Sequence, residues 1–388
     1  MHEGRNVFAQ IMDRIPWRKF QKIIDKYQGD YHVTNLKTTV LFRVLAFAQL
    51  ARKVSLRDTI FTLNMMKSKL YHMGMKSVSL NNVSNALRQR NWQIFADMGY
   101  FLIDEARKIY QKESRDPDLN EPVFAFDSTT IDLCLSVFPW AKFRTTKGGI
   151  KVHALVNTAT LIPEYIRIAN AKMHDVNAMD DLPLSQGAWY VMDRAYLDYR
   201  RLYRFHTAGT KFVTRVKRTN KFERQRSRKV DKTTGVRFDQ IVRIHGKIAA
   251  RRYPEKLRRI KFYDEENDRR IMFLTTDFDQ PAETIAALYK RRWQVELFFK
   301  WIKQNLHVKK FFGQTENAVR IQIWVAICTY ALLLILKREN KSDVRVSQML
   351  HFFTNVPFEE MPLKRAFDAI PEKISNQECA KQLFLPGF

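Results

Sequence analysis

Residues 123–130 read VFAFDSTT and residues 189–196 read WYVMDRAY, and in both an apolar run of β type ends in an aspartate. The ends of strands are where α/β sheets gather functional groups, because the backbone there opens to solvent. A single aspartate at a strand end is usually a turn or cap residue. Two of them, Asp127 and Asp193, make these strand ends a candidate functional site.

The sequence around these two strands alternates between β-rich and helical runs. The β-rich runs lie at 122–126, 130–137, 150–157, 188–192 and 211–216, and the helical ones at about 176–182 and 198–206. Short β-like runs recur at 242–248 and 270–275, within a very basic segment. This order predicts an α/β layer with a mixed sheet, interrupted by a small β-rich insertion.

The chain before this layer has a helical pattern. Apolar residues from Phe8 to Ile15 recur at the spacing of one helix face, and 38–51 (TTVLFRVLAFAQLA) is rich in helix formers. Basic residues lie along these helices, which fits a solvated surface and a DNA-reading domain equally well.

Near the other end of the chain, the apolar run 321–336 has 16 residues. Because a bilayer needs roughly 20, we expect a buried core helix there.

The charge of the chain points to a polyanionic partner. Its 388 residues contain 67 Lys and Arg against 40 Asp and Glu, a net charge of +27, and residues 201–270 alone hold 23 basic against 8 acidic residues. Hydrophobic residues make up 45% of the chain, which excludes a wholly disordered basic protein. A folded chain this basic most often binds nucleic acid.

The three cysteines of the chain are far apart in the sequence, which excludes a disulfide framework and fits a reducing cytosol.

A third element follows the basic segment. Asp279 is a candidate N-cap with Pro281 in the first turn, and a helix is predicted to run through 288–306 (LYKRRWQVELFFKWIKQNL). At 100° per residue, four polar residues share an arc of about 60°; they are Tyr289, Arg292, Glu296 and Lys303. The opposite side carries Leu297, Phe298, Trp301 and Ile302. Periodicity alone favours an ordinary amphipathic helix with a charged face.

The order of those four polar residues, Y-x2-R-x3-E-x6-K, resembles the signature of one large group of bacterial insertion-sequence transposases, the insertion-sequence-four family. These are DDE enzymes with an RNase H-like catalytic core. Their first acidic residue follows the first core strand, which matches Asp127, and their second follows the fourth strand, which matches Asp193. The family carries a β-rich insertion before the glutamate, and the basic segment stands at that place. The resemblance covers roughly residues 120–335.

The resemblance implies a fold and a domain order. The fold is α/β, with an RNase H-like catalytic core that contains a β-rich insertion, preceded by a helical N-terminal domain and followed by C-terminal helices. A DNA-binding helical domain is expected at 1–118 and the catalytic domain at 119–338, with its basic insertion at about 217–277. The helical region 339–388 is expected to serve dimerisation.

The resemblance also implies the chemistry of the site. Asp127, Asp193 and Glu296 are the expected catalytic carboxylates and metal ligands, with Asp127 bridging two Mg²⁺ ions that Mn²⁺ can replace. DNA cleavage and strand transfer are in-line displacements at phosphorus, and two divalent ions ~3.5–4 Å apart stabilise both the attacking and the leaving oxygen. Mg²⁺ prefers carboxylate, water and phosphate oxygens. The residues expected to bind DNA phosphate are Tyr289, Arg292 and Lys303.

The expected partner is double-stranded DNA, as terminal inverted repeats and as target. A homodimer is expected on the paired ends, in the bacterial cytoplasm and without a membrane. Two alternatives stay open: another RNase H-like nuclease such as a resolvase, and a catalytically silent DNA-binding regulator derived from a transposase. Relatives that cleave through a DNA hairpin stack a flipped base on an aromatic residue, typically a tryptophan of the insertion, and 194–291 contains no tryptophan. The sequence therefore leaves the hairpin route open.

Other ionisable residues compete for the metal. Asp132 is predicted to face solvent, and Asp180 and Asp181 are predicted to lie on the surface of a helix. Asp175 stands near the predicted strands. For His153 a structural hydrogen bond is favoured over a place in the site.

Overall fold

The computed structural model of the chain describes residues 5–216, 219–305 and 311–370. The chain divides into two compact units. One is built from residues up to Ile109 together with those from Asn305 onward, and the other from Tyr110–Gln304. These units have other boundaries than the predicted domains, because the apolar segment after residue 305 joins the N-terminal helices.

The first unit begins with helices, as the apolar spacing predicts. They are α1 Val7–Met12, α2 Trp17–Lys26, α3 Thr38–Leu50, α4 Leu56–Met65, α5 Lys67–Leu70, α6 Leu80–Gln89 and α7 Trp92–Ile109. Serine side chains cap two of them at the N-terminus. Ser55 accepts the N–H of Asp58 at the start of α4, and Ser79 accepts that of Asn82 at the start of α6.

The second unit is built on one sheet, to which the described residues contribute nine strands. They are β1 Val123–Leu133, β2 Gly148–Asn157, β3 Pro163–Asn170, β4 Trp189–Met192, β5 Lys211–Arg215, β6 Phe222–Arg228, β7 Val236–Ile244, β8 Leu257–Asp264 and β9 Arg269–Thr275. Their order in the sheet is β3-β2-β1-β4-β5-β9-β8-β7-β6. β4 runs parallel to β1 and to β5, and the other pairs are antiparallel. The predicted mixed α/β layer is confirmed, and the strands of the basic segment extend the same sheet.

β1 differs from the predicted pattern of two separate strands. It runs unbroken from Val123 to Leu133, because pairing with β2 holds the threonine-rich middle in the sheet. Residues 134–137, the second half of the predicted run 130–137, lie outside the strand. The patterns also miss β3, β6 and β8; in β6, FERQRSR, exposed charged residues leave no apolar alternation. The predicted helix at 176–182 is a 3-10 helix, Asp175–Asp181.

Two helices, α8 Tyr199–Thr207 and α10 Ala282–Lys290, cover opposite faces of the central strands. The unit also contains α9 Lys247–Arg252 and α11 Trp293–Asn305. Successive residues of β4 alternate between two apolar clusters. Tyr190 and Met192 pack with Phe205 of α8, whereas Trp189 and Val191 pack with the apolar side of α10. β4 is therefore buried on both faces, and packing fixes its carboxyl end.

The described part of the first unit ends with three helices, α12 Glu316–Glu339, α13 Val346–Asn355 and α14 Leu363–Asp368. By length and composition α12, with 24 residues, is long and apolar enough to cross a membrane, but 94% of its most apolar window is buried inside the structure. Gly99 of α7 admits the ring of Trp324, which a Cβ at that position would meet at 2.8 Å. α12 is thus a buried core helix, as predicted for 321–336.

Candidate active site

Asp127 and Asp193 lie on neighbouring strands at the same edge of the parallel pair. β1 and β4 run in the same direction, and their pairing ends one residue before each aspartate. Each carboxylate accepts a nearby backbone N–H: Asp127 Oδ1 that of Ser128 at 2.8 Å, and Asp193 Oδ1 that of Ala195 at 3.1 Å. The fold therefore brings together the two aspartates that the strand pattern singled out.

Arg292 links Glu296 to this pair. Its Nη1 donates to Asp127 Oδ2 at 2.6 Å, and its Nη2 donates to Glu296 Oε1 at 2.7 Å. The Asp127 and Arg292 side chains are 20% and 15% exposed, and that of Glu296 is 34% exposed. One guanidinium thus joins carboxylates from β1 and α11, and its contact with Asp127 spans 165 residues of sequence.

Tyr289, three residues before Arg292, contacts the other aspartate, Asp193. Its hydroxyl donates to Asp193 Oδ2 at 3.5 Å, at the long end of hydrogen-bond distance. The ring is buried against Phe273 of β9, at 5.0 Å between centroids. Burial raises the pKa of Tyr289 to about 12, so that the hydroxyl keeps its proton and acts as a donor.

The helix that carries these residues is not continuous, and the prediction of one straight helix through 288–306 is wrong. α10 ends at Lys290 and α11 begins at Trp293. Across the break the N–H groups of Arg291 and Arg292 bond to carbonyls three residues back, at 3.0 and 3.1 Å, instead of four. Because side chains three apart eclipse in such a turn, Tyr289 and Arg292 still share a side. α10 starts one residue after Pro281, later than the predicted cap at Asp279, and residue 306 lies outside the described residues.

Lys303 stands apart from the other predicted site residues. It is exposed on α11, and within the described residues it makes no hydrogen bond or ion pair with them. Phe298, Trp301 and Ile302 are buried, as predicted for the apolar side of this helix. Two further apolar side chains of the predicted helix are half-exposed, Leu297 at 41% and Trp293 at 49%.

The electrostatics of the site favour a bound positive charge. Burial raises the pKa of Asp127 to about 6; Arg292 and the Ser128 N–H act against this rise, and the neighbouring Glu296 and Asp193 carboxylates add to it. Burial lowers the pKa of Arg292, but attraction to the site's anions outweighs it and leaves that pKa raised. Three carboxylates in this small region thus exceed what one guanidinium neutralises.

These oxygen donors fit a hard divalent cation. In the described ranges no three acidic, histidine or cysteine side chains are arranged closely enough to hold a metal ion. The Arg292 guanidinium lies between two of the candidate ligands, Asp127 and Glu296, and supplies positive charge at that place. The donors are thus suitable in kind, and in this structure the Arg292 guanidinium takes the place between Asp127 and Glu296.

A second polar group, which contains the competitors Asp175 and His153, lies beside the candidate ligands. Asp175 Oδ1 accepts from Ser128 Oγ at 2.8 Å and pairs with Lys151 Nζ at 3.0 Å. His153 is fully buried with its Nδ1 3.9 Å from Asp175, and neither ring nitrogen has a hydrogen-bond partner among the described residues. The predicted structural hydrogen bond of His153 is therefore wrong. Burial lowers the pKa of His153 to about 4.

The remaining competitors for the metal are engaged elsewhere. Asp132 is exposed on β1, as predicted. Asp180 binds the Arg201 guanidinium through both oxygens at 2.8 Å. Asp181 pairs with Arg167. Asp180 and Asp181 are thus accounted for by surface ion pairs.

Known proteins resemble the chain over most of its length. A family model described as transposase DDE domain matches residues 118–332, and one described as a domain of unknown function (DUF4372) matches 3–76. A putative transposase, y4zB, of Sinorhizobium fredii is 34% identical over 71% of this chain and 77% of its own. A probable transposase for insertion sequence element IS5377 of Geobacillus stearothermophilus is 29% identical over 71% of each chain. Among solved structures, a piggyBac transposase synaptic complex with hairpin DNA matches with a TM-score of 0.45 and 10% identity, over 97% of this chain and 83% of the other.

Proposed function

From the chain's membership of the transposase DDE domain family we infer its function: it is a DNA transposase, an enzyme that cuts DNA with divalent metal ions. The finer assignment to the insertion-sequence-four family is our proposal. It is supported by the order of Tyr289, Arg292, Glu296 and Lys303 in the sequence.

We propose that five strands of the sheet form an RNase H-like core. Support comes from their order, β3-β2-β1-β4-β5, with an antiparallel β1–β2–β3 meander and with β4 and β5 parallel to β1. In this proposal 119–338 is the catalytic domain and about 217–277 is its basic insertion. The helical regions 1–118 and 339–388 serve DNA binding and dimerisation.

One observation carries the assignment of the site: a single guanidinium joins Asp127 to Glu296. These residues come from a strand and a helix far apart in the sequence. Tyr289, three residues before Arg292, makes a hydrogen bond to Asp193. The Arg201 guanidinium also pairs with two carboxylates, Asp180 and Asp198, but Asp180 is 52% exposed, whereas Asp127 is 20% exposed. Convergence of acidic groups in a partly buried place is typical of a catalytic centre.

In the mechanism that we propose, Asp127, Asp193 and Glu296 would hold two Mg²⁺ ions, or Mn²⁺ in their place. When bound, such ions stabilise the charge of an in-line displacement at phosphorus. The chain's own residues then orient the DNA. Arg292 grips a phosphate with its planar fork and Lys303 acts as a point charge. The Tyr289 hydroxyl has one proton to donate, either to Asp193 or to a phosphate oxygen.

The DNA partners are proposed from the same family relation. The chain binds DNA as a transposase, and we propose that its substrates are the terminal inverted repeats of an insertion sequence and a target duplex. Cutting two ends in concert requires two active sites, which supports a homodimer on paired ends. The proposed location is the bacterial cytoplasm, in association with DNA.

The test uses an end-labelled duplex that carries the DNA flanking the coding sequence. With Mg²⁺ we expect a single-strand nick at the repeat end, followed by joining of its 3′-hydroxyl to another strand, and no product with a chelator. A four-way DNA junction serves as the second substrate. Cleavage of the junction with no reaction at the repeat ends would identify a resolvase instead.

A further inference from the structure

We propose that Arg292 is a positioning residue that acts as the internal cation of the acidic site and exchanges with the metal. In the metal-free enzyme it holds Asp127 and Glu296 together; when a divalent ion binds, Arg292 leaves these oxygens and takes a DNA phosphate. This inference rests on the proposed function of Asp127 and Glu296 as metal ligands.

The contacts of Arg292 support the first half of this exchange. Its two Nη atoms lie 2.6 and 2.7 Å from the two carboxylates. Among the ion pairs of the described residues, no other cation pairs with Asp127 or Glu296. Short charge-assisted bonds of this kind fix both side chains. Arg292 therefore keeps the ligands near each other while no metal is bound.

The same contacts disfavour simultaneous metal binding. A divalent ion that Asp127 and Glu296 held together would lie close to Asp127 Oδ2 and Glu296 Oε1, the atoms to which Arg292 donates. It would also repel a guanidinium at that distance. Metal and Arg292 must therefore compete for these oxygens.

Arg292 is also built to be released. Its Nε is buried and has no hydrogen-bond partner among the described residues, so the guanidinium is only partly satisfied in its present place. The residue stands in the break between α10 and α11, outside both helices. A phosphate offers the guanidinium the bidentate geometry that two separate carboxylates do not.

The exchange couples metal and DNA. A phosphate that draws Arg292 away frees the carboxylates for metal, and by linkage metal strengthens the hold on phosphate by the same factor. The site then loads its ions most readily when DNA is in place, which restrains cutting chemistry in the free enzyme.

The test is calorimetric binding of Ca²⁺ to the full chain without DNA, in the wild type and in Arg292→Gln. Removal of the competing charge is expected to tighten Ca²⁺ binding by about tenfold or more. Lys290→Gln is the matched control, because Lys290 lies next to the same break but pairs with a single exposed carboxylate, that of Glu266. Its Ca²⁺ affinity should equal that of the wild type. Unchanged or weaker binding in Arg292→Gln would overturn the proposal.

A second variant covers the case in which Arg292→Gln does not fold. Arg292→Lys keeps the charge but cannot bridge both carboxylates with a planar fork, and a severalfold gain in Ca²⁺ affinity is expected. No gain in this variant would also overturn the proposal.

Nicking of labelled DNA by the wild type with Mg²⁺ separates this inference from the proposed function. If the wild type nicks DNA but the Arg292 variants bind Ca²⁺ no more tightly, the exchange alone is refuted. If the wild type neither binds Ca²⁺ nor nicks, the proposed function fails as well.

Discussion

The two halves of the sheet share one hydrogen-bonded ladder but differ in what they expose. In the half formed by β3, β2, β1, β4 and β5, all four residues of β4 are buried and helices cover both faces. In the half formed by β6–β9, β6 is exposed at every residue except the half-buried Phe222. The two halves meet where β5 pairs with β9.

We propose that the difference corresponds to two tasks. Placing carboxylates for metal chemistry requires fixed strand ends, and burial on both faces provides them. Binding the phosphate backbone requires positive charge without base-specific geometry, and the exposed residues Arg224 and Arg226 of β6 supply it. The excess charge of residues 201–270 therefore lies mainly in the second half, and the candidate ligands Asp127 and Asp193 lie in the first.

The largest effect is expected from the carboxylates of the buried half. Asp127→Ala, Asp193→Ala and Glu296→Ala should each lower the nicking rate roughly a thousandfold or more, because each is a proposed metal ligand. DNA binding, measured by gel shift, should persist. Asp132→Ala is the control, since Asp132 lies on the same strand but is exposed. An Asp127→Ala protein that nicks at the wild-type rate would refute the proposal that the buried half holds the metal ligands.

The next effect concerns a buried ion pair of the basic half. Arg258 binds both oxygens of Asp239, at 2.9 and 2.7 Å, and the two residues are 2% and 4% exposed. Arg258→Met should lower the free energy of unfolding by about 3–5 kcal/mol, because the buried Asp239 carboxylate then keeps only the more distant Arg228, at 3.9 Å. Denaturant unfolding measures this decrease. Adding Asp239→Leu should recover most of it; no recovery would mean that side-chain packing, not the charge, sets stability here.

His153 provides a pH test of the buried half. Its pKa is about 4 in the folded chain, against 6.5 for the free side chain, so between these values only the unfolded state takes up the proton. The free energy of unfolding should therefore fall by about 3 kcal/mol as the pH drops from 6.5 to 4. In His153→Leu this part of the decrease in the free energy of unfolding should be missing. Denaturant unfolding at several pH values measures it. Identical pH slopes in both proteins would show that His153 titrates normally.

The smallest effect is expected from the exposed half. Changing Arg224 and Arg226 together to Gln should weaken DNA binding roughly tenfold and reduce the salt slope of binding by about 2, because two fewer DNA phosphates are neutralised. Nicking of saturated DNA should be unchanged. Lys108→Gln is the control, since Lys108 is already paired with Asp104 and Glu105. Loss of nicking at saturating DNA would show that β6 takes part in chemistry.

The sequence predicted the parts of this site that depend on local pattern. The apolar runs before Asp127 and Asp193 predict the strands that end near them. Helical spacing predicts that Arg292 and Glu296, four residues apart, lie on the same side. The break at residues 291–292 was not predictable, because a change from four-residue to three-residue bonding leaves composition and periodicity intact. The contacts of Arg292 with Asp127 and of Ser128 with Asp175 join segments far apart in the sequence. The periodicity of a single segment contains no information about such contacts.

The most direct test of the central claim, that Asp127 is a metal ligand, is a metal-rescue experiment with Asp127→Cys. Thiolate is a poor ligand for Mg²⁺ but binds softer metals better. Nicking of the labelled repeat end by this variant should be absent with Mg²⁺ and partly restored with Mn²⁺, while the wild type acts with both. Undiminished nicking by Asp127→Cys with Mg²⁺ would contradict the assignment.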